Sequence, residues 1–177
     1  MQLGIHPKMK AVAQFVATAF GIYIAWYIFH DFYLVPKTNF IAQLINIETS
    51  QSVFLLQKLP LKHTFDSYGA LITCNGSKAL RVGAECNGLV LFALFTGFLL
   101  AYPGNWKTKT WFIPLGVTCI YALNILRIIV LTINFKYFRS SFSFNHHVTF
   151  TYLIYAFIFL LWMIWVNKFS KTKQPLG

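Results

Sequence analysis

The chain has 177 residues, of which 57% are apolar and only 11% charged, with 19 Phe and 5 Trp. A soluble domain carries about 25% charged residues, so this composition sets aside an ordinary soluble domain and points to a bilayer. The net charge is +11, but Lys and Arg gather beside apolar segments, as membrane-flanking anchors do. No basic helix or aromatic-basic sheet signature accompanies them, so no nucleic-acid partner is expected. The length allows one integral membrane domain over residues 1–177 and no second one.

A membrane-spanning helix needs about 20 apolar residues. Ala11–Phe29 is the first candidate. Its apolar run is too long for a signal peptide and no small-residue cleavage site follows, so it reads as a retained anchor. Phe40–Leu59 is apolar but broken by Gln43, Asn46, Glu48, Gln51 and Gln57. That is too polar to span and suits a helix lying in the outer interface. Pro60, which lacks an N–H, ends it.

Residues 68–83 place two short apolar runs on either side of Asn75-Gly76. Both central residues of such a turn tolerate positive φ, which predicts a β-hairpin leading into Cys86. Gly88–Tyr102 is a second, short span, which extends back through Asn87 or thins the bilayer locally. Pro103-Gly104 stops it. Trp111–Asn134 is the third span, with Pro114 in its first turn, where proline is tolerated. Val148–Val166 is the fourth. Trp106, Trp111, Trp162 and Trp165 fall where an inner aromatic belt would sit. The expected fold is therefore mainly α: a polytopic membrane helical bundle of about four transmembrane helices, with an outer interfacial helix and a small β-hairpin before the cysteine.

Lys8 and Lys10, Lys107 and Lys109, and Lys168, Lys171 and Lys173 all lie on one side of this arrangement. The positive-inside rule makes that side cytoplasmic, with both termini inside. Residues 30–85 and 135–147 then face outward.

Three segments bring reactive residue types to the outer layer. Cys86 lies in Glu85-Cys86-Asn87-Gly88, at the start of an inward-running span. Arg127 lies sixteen residues after Trp111, about 24 Å along a helix, in the outer part of a hydrocarbon core about 30 Å thick. His146-His147 stand at the mouth of the fourth span. An arginine in a span costs roughly 2.5–3.5 kcal/mol at mid-depth and usually faces a cavity or a partner. The alternative is a side chain snorkelling to the surface. Asn124 shares its helix face, and the two together suit a developing oxyanion.

Cys86 suits a nucleophile if an imidazole or guanidinium raises its thiolate fraction. It equally suits a small buried hydrophobe or a disulfide with Cys74. Either His146 or His147 suits a general acid–base, and Glu85 suits a group that orients an imidazole. No companion cluster at metal-ligand spacing exists, so neither a metal nor another cofactor is expected. Glycine-rich phosphate loops and serine elbows are also missing.

Glu85-Cys86-Asn87-Gly88-Leu89, then Leu123-Asn124-Ile125-Leu126-Arg127-Ile128, then His146-His147 at a span entrance, resemble the exosortase/archaeosortase family, and most of all its small Bacteroidetes type. The resemblance covers about residues 68–166. It implies a membrane-embedded cysteine transpeptidase or protease at the outer face of the cytoplasmic (inner) membrane. Its substrates would be secreted proteins ending in a short motif, a transmembrane helix and a basic cluster, with an acceptor nucleophile taking the acyl group. By motif, Cys86 becomes the nucleophile, Arg127 the stabiliser and His147 the acid–base, with His146, Asn124 and Glu85 as alternative or supporting groups. Two other classes compete: a non-catalytic membrane partner or assembly protein, and a thiol oxidoreductase using Cys74 and Cys86.

Overall fold

The computed structural model describes residues 7–61, 63–138 and 149–169. Helix α1 (Pro7–Phe29) does not stop at Phe29. It runs through a π turn (His30–Leu34) into α2 (Val35–Lys37). Gly21 is accommodated within it, and after Pro7 the next proline is Pro36, which falls in the first turn of α2, where proline is tolerated. The apolar stretch Val12–Lys37 is 26 residues long, ample for a bilayer. Its outer face, including Val12, Val16, Phe20, Tyr23 and Ile28, is exposed, as a lipid-facing helix requires.

Helix α3 (Phe40–Gln57) follows and ends just before Pro60, as its sequence predicts. Its buried stripe is Ile45, Glu48, Thr49, Ser52, Val53 and Leu56. That spacing is one face of a 3.6-residue period.

The chain then forms a three-stranded antiparallel sheet in the order β1 (Phe65–Tyr68), β2 (Leu71–Cys74), β3 (Ser77–Arg81). The expected hairpin is β2–β3, and it turns at Asn75 (φ +50°) and Gly76 (φ +75°). Strand β1 adds to it, pairing Phe65 with Cys74 and Tyr68 with Leu71. Its run Phe-Asp-Ser-Tyr is short and half polar, too little for a strand to show by pattern. Phe65 nevertheless anchors it in the core at 1% exposure.

A single 3₁₀ turn (Ala84–Cys86) leads to α4 (Leu89–Ala101). At 13 residues, α4 is about 20 Å long, shorter than a bilayer core. Helix α5 (Trp106–Tyr137) has 32 residues, and α6 (Phe150–Ile164) continues through a π turn to Phe169. Among the described residues three helices are long and apolar enough to cross a membrane, and α4 is a shorter apolar fourth.

Helix α5 starts five residues before Trp111 because Asn105 caps it. The Asn105 Oδ1 accepts from the Lys107 N–H at 2.9 Å, the usual role of an N-cap asparagine. Pro114 consequently lies inside the helix rather than in its first turn. Lys109 is not a loop cation either. Its Nζ donates to the carbonyls of Leu100 at 3.2 Å and Tyr102 at 2.8 Å, closing the C-terminal end of α4 where carbonyls lack helical partners. Of the four tryptophans expected in a belt, Trp106 and Trp111 are exposed. Trp165 is fully buried and Trp162 stacks on Phe98 at 4.3 Å, because α6 turns that edge toward α4 and α5.

Two cores divide along α5. Its first half, with Phe112 and Ile120, packs with Phe95 and Leu99 of α4 and Ile154 and Ile158 of α6. Its second half, with Ile125, Ile128 and Ile129, packs with α3, the sheet and Cys86.

Candidate active site

Cys86 and Asn124 meet near the boundary between these cores. The 3₁₀ turn is closed by the Cys86 N–H donating to the Gly83 carbonyl at 3.0 Å. Asn87 Oδ1 then accepts from the Leu89 N–H at 3.0 Å, a local turn of the kind short polar side chains make. Gly88 adopts φ +69° and opens α4 as its N-cap. A Cβ there would lie 3.2 Å from the Phe92 ring and 3.6 Å from Asn124 Cγ. Glycine therefore serves two needs at this point: a left-handed backbone and a close approach by α5.

That approach lets Asn124 reach across. Its Nδ2 donates to the Cys86 carbonyl at 2.6 Å, 38 residues away in sequence. Asn124 is fully buried, and Cys86 is 9% exposed. A buried amide without partners is expensive, so this bond also fixes how α4 and α5 meet. All three cysteines are thiols, so Cys74 and Cys86 are not bridged.

Arg127 follows Asn124 by three residues on α5. It is half-buried, and its Nε is shielded from solvent with no hydrogen-bond partner among the described residues. A buried donor without a partner is costly. The histidines His146 and His147 lie outside the described residues, as does the Glu85 side chain. Glu85 itself occupies the 3₁₀ turn. Among the described residues no cluster of metal-ligating side chains occurs.

One residue of this site was not anticipated. Glu48 of α3 is fully buried, and neither carboxyl oxygen has a hydrogen-bond partner among the described residues. Burial pushes its pKa up to about 8, and the neighbouring Asn124 amide pulls partly the other way without reaching hydrogen-bond geometry. At neutral pH Glu48 is thus mainly the uncharged acid. As a mere interruption of an apolar run it carried no message. Its helical spacing with Ile45, Ser52 and Val53 would have placed it on the inward face.

The fold and this site define a polytopic helical membrane protein with a cysteine set at the head of a short apolar helix. Residues 8–165 match the family model of the transmembrane exosortases, and the chain belongs to that family. Neither the curated proteins nor the solved structures contain a match.

Proposed function

We propose that this chain is a cysteine transpeptidase or peptidase of the cytoplasmic membrane, acting at its outer face on the C-terminal tail of secreted proteins. The tail class (motif, transmembrane helix, basic cluster) follows from the family. The observation that carries the reading in this chain is the Asn124 amide bonded to the Cys86 carbonyl, with Arg127 one helical turn further along the same helix. The whole chain 1–177 acts as one integral membrane unit, its termini cytoplasmic.

In the proposed reaction His147, or His146 beside it, takes the Cys86 proton. The thiolate attacks the scissile carbonyl, forming a C–S bond and an oxyanion. Arg127 stabilises that oxyanion. Asn124, already donating to the Cys86 backbone, holds the nucleophile's turn in place. Collapse breaks the C–N bond, and the imidazolium protonates the leaving amine. The resulting thioester is resolved by an acceptor nucleophile in transpeptidation, or by water in hydrolysis. Neither route needs a cofactor.

Replacing Cys86 by Ala tests this directly. Processing of a tail-bearing substrate stops while the protein still accumulates in membranes. Continued processing removes the nucleophile assignment and leaves a non-catalytic binding role.

A further inference from the structure

We propose that Glu48 is a positioning residue for Cys86, its carboxylic acid O–H donating to Asn124 Oδ1 and so locking the amide whose Nδ2 holds the Cys86 carbonyl. This rests on the reading of Cys86 as the nucleophile and extends the site to α3, an element outside the motifs.

The local hydrogen bonds leave this pairing unmet, as they leave Arg127 Nε one turn further along α5. Thr49 and Ser52, the buried hydroxyls beside Glu48, donate back along their own helix to Ile45 O and Glu48 O at 2.7 Å each. Tyr121 of α5 donates its hydroxyl to Gln51 Oε1 at 2.7 Å. No salt bridge reaches Glu48 among the described residues. What is left is an acid with two unpartnered oxygens and an amide with an unpartnered Oδ1, all buried, in side chains that stand together. A carboxylate offers only acceptors, so it cannot satisfy an amide oxygen, whereas the protonated acid can. An unmet buried acceptor is costly, which gives the neutral acid its advantage.

The charge state matters to chemistry as well as to packing. A neutral Glu48 leaves the thiolate of Cys86 unopposed. Ionised, it would place a second anion on the far side of the same amide and remove the donor to Oδ1. Among the described residues, the titratable or charged side chains around this layer are Glu48 from α3, Cys74 from β2, Tyr121 and Arg127 from α5, and Cys86 from the 3₁₀ turn.

The test uses full-length protein in membranes, as wild type, Glu48→Gln and Glu48→Leu. One readout is alkylation of Cys86 by iodoacetamide against pH, resolved by peptide mass spectrometry. The other is kcat and KM on a tail-bearing substrate. Glu48→Leu, which has no donor, is expected to lose about tenfold or more in kcat with KM kept. Glu48→Gln supplies an N–H donor that does not titrate, and should restore most of that loss. Wild-type turnover should fall as pH rises past about 8, and the Gln variant should lack this limb. Its Cys86 alkylation midpoint should also move to lower pH, by on the order of one unit, tenfold in thiolate fraction.

A Glu48→Leu enzyme as fast as wild type, or a Glu48→Gln enzyme with the wild-type pH profile, overturns the proposal. If the Leu variant does not accumulate, the Gln profile decides alone. Should wild type show no turnover, the transferase reading fails by itself. The alkylation curves still decide for Glu48: a shift supports the coupling and coincident curves refute it.

Discussion

Asn124 and Cys86 are joined by a 2.6 Å hydrogen bond from a buried side-chain amide to a backbone carbonyl. The bond ties the middle of α5, the longest described helix, to the turn that precedes α4, the short apolar one. It also orients Cys86, the proposed nucleophile, through its own main chain, which a side-chain contact would not do.

Removing that amide is therefore expected to cost activity more than it costs folding. Asn124→Ala should lower processing by roughly 10–10²-fold, the scale of a lost positioning contact. Asn124→Asp should be worse, because a carboxylate cannot donate to the Cys86 carbonyl. Processing rates, normalised to the amount of protein in membranes, check both. Equal rates for all three proteins would remove Asn124 from the site.

Arg127 is expected to act mainly in the transition state. Arg127→Ala should reduce kcat about 10²–10³-fold with little change in KM, as loss of an oxyanion donor does. Arg127→Lys keeps the charge but loses the planar fork of donors and should recover only part. A rise in KM at constant kcat would instead make Arg127 a substrate-binding group.

Glu48 makes stability depend on pH. In the unfolded chain it ionises near its ordinary value of 4.5, and in the fold it keeps its proton up to about 8. Between those values the folded state binds the extra proton, so raising pH favours unfolding. The stabilisation is whole below about 4.5 and lost as pH rises through about 8. The span corresponds to a few kcal/mol, on the order of 1.4 per unit. Thermal melting in detergent from pH 5 to 9 should show this decline, and Glu48→Gln should flatten it.

Gly116 marks a contact that admits no side chain. A Cβ there would lie 2.2 Å from Phe95 Cζ, and the Phe95 ring is fully buried with nowhere to swing. Gly116→Ala should lower stability by about 1–3 kcal/mol, as overpacking does, measured as a lower melting temperature. Gly21, which has open space around it, is the control: alanine there should leave the melt close to wild type.

Much of this arrangement was legible from residues alone. Asn75-Gly76 announces its hairpin because its two residues are suited to positive φ. The apolar runs announce their helices because lipid permits little else. Asn124 is legible as a site residue because it shares a helix face with Arg127, yet its partner is not. The sequence suggests an oxyanion contact, and the structure adds a bond from the amide to the Cys86 carbonyl.

Glu48 and β1 were hidden for a different reason. Each is defined by what it packs against from a distant part of the chain. A glutamate in a helix twelve residues from either neighbouring proline looks solvated until α5 covers it. The four residues of β1 look like a loop until β2 pairs with them. Lys109 shows the same limit in reverse: a cation that reads as a surface anchor is consumed by the end of α4.

The length of α5 has one more consequence. Its 32 residues extend about 48 Å, while the hydrocarbon they cross is about 30 Å thick, and an ordinary tilt of about 20° lengthens the path only slightly. Roughly a third of the helix must stand clear of the lipid tails, and α3 and the sheet ride on its second half. Acyl-chain length is thus a mechanical input: thicker membranes draw the rod upright, thinner ones lean it over, and whatever it carries leans with it.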